Sequence, residues 1–354
     1  MQTDLLEQVE ETSAPGAFTA DSLIWKNHGK FFKRVTPADL AHFQDAAAIW
    51  EQEKSRLPYP KSEIPIGEKT KSGLLAHHYR FWHKMFNSWQ LLALSTLLEG
   101  IEKEENQTLN EMLLSAFFSA LETNNLFTRY HSTRFLAAGV FARHDFQPKV
   151  TICENNVWGT DYGNQTFRNT FQKIIEGKSF AFSPTDSKEI KGKIMQVVST
   201  DKIVDNIVTN KVHLYCYSSG KIEITQSNSV DCVITDPPYA GNVNYSELAD
   251  FFYSWLRLIL YKKYQCFASE MTPKLEEIIQ NPTRRKSAVD YENGLSQVFK
   301  ESNRLLKSEG LLIFTFHHSE DEAWVSLLKA LFYAGFILES VYPINGEAEN
   351  SLHL

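Results

Sequence analysis

The chain has 354 residues, 43% of them hydrophobic, and a formal net charge of −7. That is enough for one large domain or two small ones, and no apolar run approaches the ~20 residues needed to cross a bilayer. Five acids (Asp4, Glu7, Glu10, Glu11, Asp21) fall in the first 21 residues with no Lys or Arg, which leaves −2 for the rest; charge therefore neither supports nor excludes nucleic acid, and a local basic patch must decide.

The acidic stretch 1–21 reads as a tail. It lacks the apolar core of a signal peptide. The four cysteines, Cys153, Cys216, Cys232 and Cys266, are scattered without a CxxC pair, so they predict no metal site and fit reduced thiols in a cytoplasm. Pro37 to Lys54 is a predicted helix, with Thr36 as N-cap and Pro37 at the first helical position. Leu57-Pro58-Tyr59-Pro60 through Gly67 is an extended connector. Residues 75–99 interleave bases and rings: His77, His78, Tyr79, Arg80, Phe81, Trp82, His83, Lys84. Such a mixture suits a grip on a phosphate backbone, with Arg80 and Lys84 as candidate contacts. It equally suits the start of an amphipathic helix whose rings join the core. Met85–Leu98 and Leu109–Leu121 carry helical spacing and read as two packed helices. Residues 126–176 are Gly- and Asn-rich and read as surface loops, with a short helix over Phe167–Ile175.

Lys211–Ile224 alternates as a strand pair turning at Ser218-Ser219-Gly220. Val230-Asp231-Cys232-Val233-Ile234 is short, apolar and β-branched, as in a buried parallel strand. Thr235-Asp236-Pro237-Pro238-Tyr239 follows, where open α/β sheets bind their ligands. An ionised Asp236 is acceptor-only and takes a hydrogen bond from an NH2 group. Pro237 and Pro238 stiffen the loop, and the Pro237 carbonyl supplies a second acceptor. Tyr239 offers a flat face for a flipped base. Together they suit presentation of an exocyclic amine to a methyl donor. Ser246 is the predicted N-cap of an aromatic helix reaching about Tyr264, with Glu247 at its positive end. Thr272-Pro273-Lys274 lies in the next loop. Arg284-Arg285-Lys286 reads as a phosphate-contacting cluster or a solvated surface. A helix over Tyr291–Lys307 closed by Gly310, a strand Leu311–Phe316, a helix Ala323–Ala334 stopped by Gly335, and a strand Phe336–Ile344 complete the order. That order predicts an α/β fold, half of a doubly wound sheet. His317 sits at a strand's carboxyl end, either facing the site or hydrogen-bonded locally.

Asp236-Pro237-Pro238-Tyr239 after a hydrophobic strand resembles the catalytic motif of amino-methyltransferases acting on adenine N6 or cytosine N4. Asn244-Tyr245-Ser246-Glu247-Leu248-Ala249-Asp250-Phe251-Phe252-Tyr253, Trp255-Leu256-Arg257, Leu91-Leu92-Ala93-Leu94, Tyr130-His131-Ser132, Thr272-Pro273-Lys274, and Phe314-Thr315-Phe316-His317-His318 with Glu322-Ala323-Trp324 resemble, with chain order preserved from about residue 57 to about residue 350, the large bacterial adenine-specific DNA methylases described with a zinc ribbon. At residues 155–158 the chain reads Asn-Asn-Val-Trp, where the family carries Asn-Pro-Phe.

The resemblance implies an incomplete Rossmann-like class I methyltransferase sheet preceded by a mainly helical region. The implied layout is an acidic tail over 1–21, a helical and candidate DNA-contacting insertion over 22–125, an irregular link over 126–210 and a catalytic half over 211–354. It implies S-adenosyl-L-methionine as cofactor and DNA as partner. The catalytic candidates are Asp236, Pro237, Pro238 and Tyr239. The substrate-binding candidates are Asn242, Tyr245, Phe251 and His317. The DNA-binding candidates are Arg80, Lys84, Arg284, Arg285 and Lys286. Among 16 glycines there is no Gly-x-Gly pair, so the phosphate-loop type of cofactor cradle is missing. In the family the strands carrying it lie upstream, and a final strand follows the point where this chain stops. The expectation is a catalytic half needing a complementing polypeptide. Methylation of RNA or of a protein glutamine, and a non-catalytic subunit of a DNA modification or defence system, are the rival expectations.

Overall fold

A computed structural model describes residues 23–27, 30–132, 136–149, 153–160, 165–190, 193–198, 213, 215 and 217–344. The acidic stretch 1–21, residues 161–164 and part of the expected 211–224 pair lie outside them.

The helical part follows its sequence signals closely. α1 (Pro37–Glu53) begins with a capping box in which the Thr36 hydroxyl and the Asp39 carboxylate each satisfy the other's backbone N–H. α3 (Ser88–Glu102) starts with the same device from Asn87 and Gln90. α4 (Gln107–Thr123) is capped by Asn106. Between α1 and α3 a six-residue α2 (Glu68–Gly73) is followed by 3-10 turns at Leu75–His77 and Trp82–Met85, not by the regular helix start that the ring spacing suggests. Trp82 and Phe86 are buried, as the core reading of these rings requires, while Arg80 and Lys84 stay exposed.

Among the described residues there are three antiparallel ribbons: β1 (Leu23–Asn27) with β2 (Lys30–Lys33), β3 (Arg129–His131) with β4 (Leu136–Ala138), and β5 (Thr185–Ile190) with β6 (Lys193–Val198). α5 (Phe167–Phe182) runs longer than its apolar spacing predicts.

β7 (Val230–Thr235) pairs in parallel with β8 (Leu306–Phe314), connected through α6 (Tyr245–Leu260) and α7 (Ala288–Leu305). α7 starts at a Ser287/Asp290 capping box and passes straight into β8. Gly310 therefore does not close the helix. It lies inside β8, where the register slips from Val230↔Leu306 to Cys232↔Leu311 and a Cβ would press on Leu306 and the Asp231 carbonyl. α8 (Asp321–Tyr333) ends at Gly335, whose φ of 88° is the left-handed stop expected of glycine.

Two expected strand features are corrected. Phe336–Ile344 has strand-like residues but joins no ladder, and the described residues of 211–224 form a turn without strands. The fold is thus mixed α and β, with a two-stranded parallel sheet. α7 and α8 cover one face of it, against Leu312 and Phe314. The other face leaves Ile234 77%, Leu311 51% and Ile313 50% exposed. Parallel sheets are ordinarily buried on both faces.

α6 does not pack with α7 and α8. Its Phe251, Trp255 and Ile259 join the core formed by α1, α3 and α4. Among the described residues, no helix is long and apolar enough to cross a membrane.

Candidate active site

The loop after β7 is held by contacts from three directions. Pro237 is buried. The Tyr291 hydroxyl, on α7, donates to the Pro238 carbonyl at 2.6 Å. Gln280 N–H donates to the Ala240 carbonyl at 3.3 Å, and Ala240 itself is buried with a φ of 49°. A non-glycine residue in that region costs about 1–2 kcal/mol, so the surroundings must hold it there. Tyr291→Phe removes one loop anchor, and the expected loss is about 0.5–1.5 kcal/mol, read as a lower urea midpoint at constant slope.

Asp236 is exposed at the carboxyl end of β7. Its Oδ1 accepts from the Tyr239 hydroxyl at 2.5 Å and from the Thr315 hydroxyl, just beyond β8, at 2.7 Å. Its Oδ2 takes no hydrogen bond among the described residues. The Tyr239 phenol is pushed up to about 12, by burial first and then by its bond to Asp236. It therefore stays protonated, and donating, across the neutral range. Tyr239 meets Phe316 edge to face at 5.4 Å, and Phe316 meets Trp324 at 4.8 Å. Tyr245 is 47% exposed, and burial first, then the charges of Asp236 and Glu277, raise its phenol. Tyr239, Tyr245, Phe316 and Trp324 thus form an aromatic rim beside a carboxylate with one oxygen held and the other open.

The remaining candidates separate. Asn242 is exposed, and its N–H closes a turn onto the Tyr239 carbonyl at 3.0 Å. His317 is exposed and makes no hydrogen bond among the described residues. Phe251 does not wall this site. It is fully buried in the helical core, stacked on Phe86 at 5.7 Å, because α6 turns that side towards α3 and α4. Arg284 and Lys286 are not free for phosphate either. The Arg284 guanidinium meets Glu247 at 3.2 Å and Glu277 at 3.5 Å and donates to the Ser246 hydroxyl at 3.0 Å. The Lys286 ammonium donates to the Leu275 carbonyl at 2.7 Å and to the Glu277 carbonyl. Of that cluster Arg285 alone is exposed.

Beneath the loop lies a buried ionic network anchored on α6. Ser246 is not the N-cap; Asn244 holds that place, without a side-chain cap. Glu247 does not serve its own helix end. Its carboxylate accepts from the N–H groups of Glu68, Lys69 and Thr70 at 2.9, 2.8 and 3.3 Å, the start of α2. It also accepts from the Asn281 amide at 2.9 Å. Gly67 makes this approach possible, since a Cβ there would collide with the Glu247 carboxylate. Asp250 pairs with Lys274 at 2.6 Å and accepts from Thr272 N–H at 2.9 Å. Glu277 accepts from Ser246 N–H at 2.8 Å. Thr315, Phe316, Tyr291 and Trp324 have roles here that residue-by-residue reading did not assign. The signal lay in chain order, since each sits at or near the end of an element that must meet the β7 loop.

Among the described residues no group of His, Cys, Asp and Glu converges as a metal site. No family model matches the chain, and neither the curated proteins nor the solved structures include a match.

Proposed function

We propose that this chain supplies the base-holding part of an S-adenosylmethionine-dependent methyltransferase that modifies the exocyclic amine of adenine in DNA. One observation carries the reading. At the end of a parallel strand, Asp236 has Oδ1 held by two hydroxyls and Oδ2 open to an incoming N–H, beside an aromatic rim. An unstacked base pays its unpairing cost once and gains ring contacts and a charge-assisted hydrogen bond. Asp236 Oδ2 accepts from the amine, the Pro237 carbonyl is the second acceptor, and Tyr239 and Tyr245 flank the ring. Three unpaired cysteines, Cys153, Cys232 and Cys266, are in keeping with a cytoplasmic protein.

The residues present do not make a full site for the cofactor. There is no Gly-x-Gly turn, and among the described residues nothing covers the second face of β7 and β8, where Ile234, Leu311 and Ile313 stay exposed. The fold in this reading is an incomplete Rossmann-like sheet, and a complementing polypeptide supplies the missing layer and the glycine-rich loop. The cofactor, when bound by that layer, supplies the methyl group. This chain's own residues hold and orient its acceptor.

Calorimetry tests the arrangement. S-adenosylmethionine should bind the chain mixed with a polypeptide that carries a glycine-rich strand–loop–helix unit, and should not bind the chain alone. Micromolar binding by the chain alone would sink the split arrangement. Binding by neither would assign the chain to a non-catalytic subunit. Methyl transfer to DNA, RNA and glutamine-containing peptides, compared in the binding mixture, separates the acceptor classes.

A further inference from the structure

Three segments distant from the Asp236 loop in sequence are pinned into one surface. Leu126 N–H donates to the Met85 carbonyl at 2.8 Å. The Tyr79 ring packs on Phe127 at 5.0 Å, and Trp82 meets Phe146 at 6.0 Å. Trp82, Phe127 and Phe146 are buried and form the floor. Gly73 lies directly against Phe146, with no room for a Cβ. The floor thus joins residues 79–85, 126–131 and 139–149.

Each segment brings cations to the outside. Arg80, Lys84 and Arg143 are exposed, and Arg129 and Lys149 are half-buried. Arg129 lies on β3 opposite Ala138, so the hairpin carries it towards the turn that holds Arg143. None of the five has an ion pair among the described residues. Lys149 reaches no closer than 3.5 Å to the Gln147 amide oxygen. The acid on these segments is Asp145, which accepts from the Gln147 amide at 2.8 Å; of the acids beside them, Glu63 forms a β-bridge with Phe81, Glu154 accepts from the Asn87 amide, and Glu122 lies against Gly139 and accepts from the Gln165 amide at 2.9 Å. Two groups register the crowding of positive charge. Burial, then Arg129 and Arg143, push the Lys149 ammonium down against the opposing pull of Asp145. Burial, then Lys84 and Lys61, hold the His83 imidazole down. Tyr130, beside Arg129, is 44% exposed.

We propose that this face is the nucleic-acid surface of the chain, in which Arg129, Arg143 and Lys149 join Arg80 and Lys84 in contacting a phosphodiester backbone. This rests on the reading that the acceptor is a nucleic acid. It moves the phosphate contacts away from Arg284 and Lys286, whose charges are used internally. Cations without ion pairs among the described residues, set over a fixed aromatic floor, suit a polyanion because each phosphate contact releases condensed counterions.

The test is fluorescence anisotropy with the full chain and labelled 30-nucleotide DNA duplex, DNA single strand and RNA, across a salt series. The triple variant R129Q/R143Q/K149Q should bind duplex ~10-fold or more weakly, with a log–log salt slope shallower by about 2.7, roughly 0.9 for each lost contact. Arg285→Gln should stay within about twofold of the parent, since one exposed cation outside the face removes no contact. The single variants K84Q and R143Q, both at exposed positions, should each weaken duplex binding with a slope shallower by about 0.9, and they read the face even if the triple variant fails to fold. A parent that binds, with a folded triple variant of unchanged affinity and slope, overturns the face and leaves the methyl-transfer reading standing. A parent that binds none of the three nucleic acids also overturns it. Duplex bound through these residues without methyl transfer in the reconstituted mixture overturns the enzymatic reading alone. Tighter RNA binding with the same loss in the triple variant supports the face and moves the substrate to RNA.

Discussion

An Asp236→Ala chain, reconstituted with its complement, should lose methyl transfer by ~10³-fold or more while still binding DNA. The expectation follows from what the carboxylate does. Oδ1 is held by Tyr239 and Thr315, which fixes the side chain, and in the proposed reaction Oδ2 is the acceptor for the amine. Removing a preorganised partner of a reacting group costs about 10²–10³ in rate, and here the acceptor's charge is lost as well. Stability should change by less than about 1 kcal/mol, because Asp236 is exposed and both hydroxyls can turn to water. Asp236→Asn keeps an acceptor oxygen without the charge and should fall between. The measurement is transfer of labelled methyl to a DNA duplex at saturating cofactor. Retained activity in Asp236→Ala would remove the residue from the mechanism.

The largest stability effect belongs to Glu247. Glu247→Ala should destabilise the fold by about 3–5 kcal/mol, because it leaves the mostly buried Arg284 guanidinium without its nearest charge partner. Three N–H groups of α2 and the Asn281 amide lose their acceptor at the same time. Glu247→Gln keeps one acceptor oxygen and should cost about 1–3 kcal/mol. Urea unfolding of both variants checks the order. Equal midpoints for parent and Glu247→Ala would show that the network contributes nothing to stability.

Much of the fold was legible because its signals are local. Thr36 before Pro37 marks a helix start, and Gly335 marks a stop; apolar spacing places the start of α7 at Tyr291, three residues late, because it does not register the Ser287/Asp290 capping box. The β-branched run before Asp236 marks a strand. The failures share a different cause. Phe336–Ile344 has strand-forming residues, but a strand exists only beside a neighbour, and periodicity does not supply one. Gly310 reads as a helix stop from its position after Leu306, whereas a register slip against β7 is what requires it. Arg284-Arg285-Lys286 reads as one basic patch. The left-handed Arg285, at a φ of 58°, divides it, sending its neighbours inward to Glu247 and the Glu277 carbonyl. Phe251 belongs to an aromatic helix next to the loop, and which face of that helix is buried depends on α3 and α4, more than 100 residues earlier. For the candidate site, Asp236 and Tyr239 stood out in sequence. Thr315, which helps to hold Asp236, did not, because a threonine after a strand carries no signal of its own.

The Glu247 carboxylate also bears on the order in which the chain folds. It bonds a backbone N–H 179 residues away, and Glu68 in turn holds Thr283 across 215 residues. α3 and α4 can meet across a short turn, and the β7–β8 half can form within its own stretch. These two closures, one through Glu247 and one through Glu68, cannot be made until both stretches exist, and long-range closures form slowly because their loop entropy is lost before any contact compensates it. The junction between the two stretches therefore becomes rigid last. During synthesis it stays open until residues beyond Arg284 have emerged, so a nascent chain presents its helices to the cell before α2 and α6 are locked together.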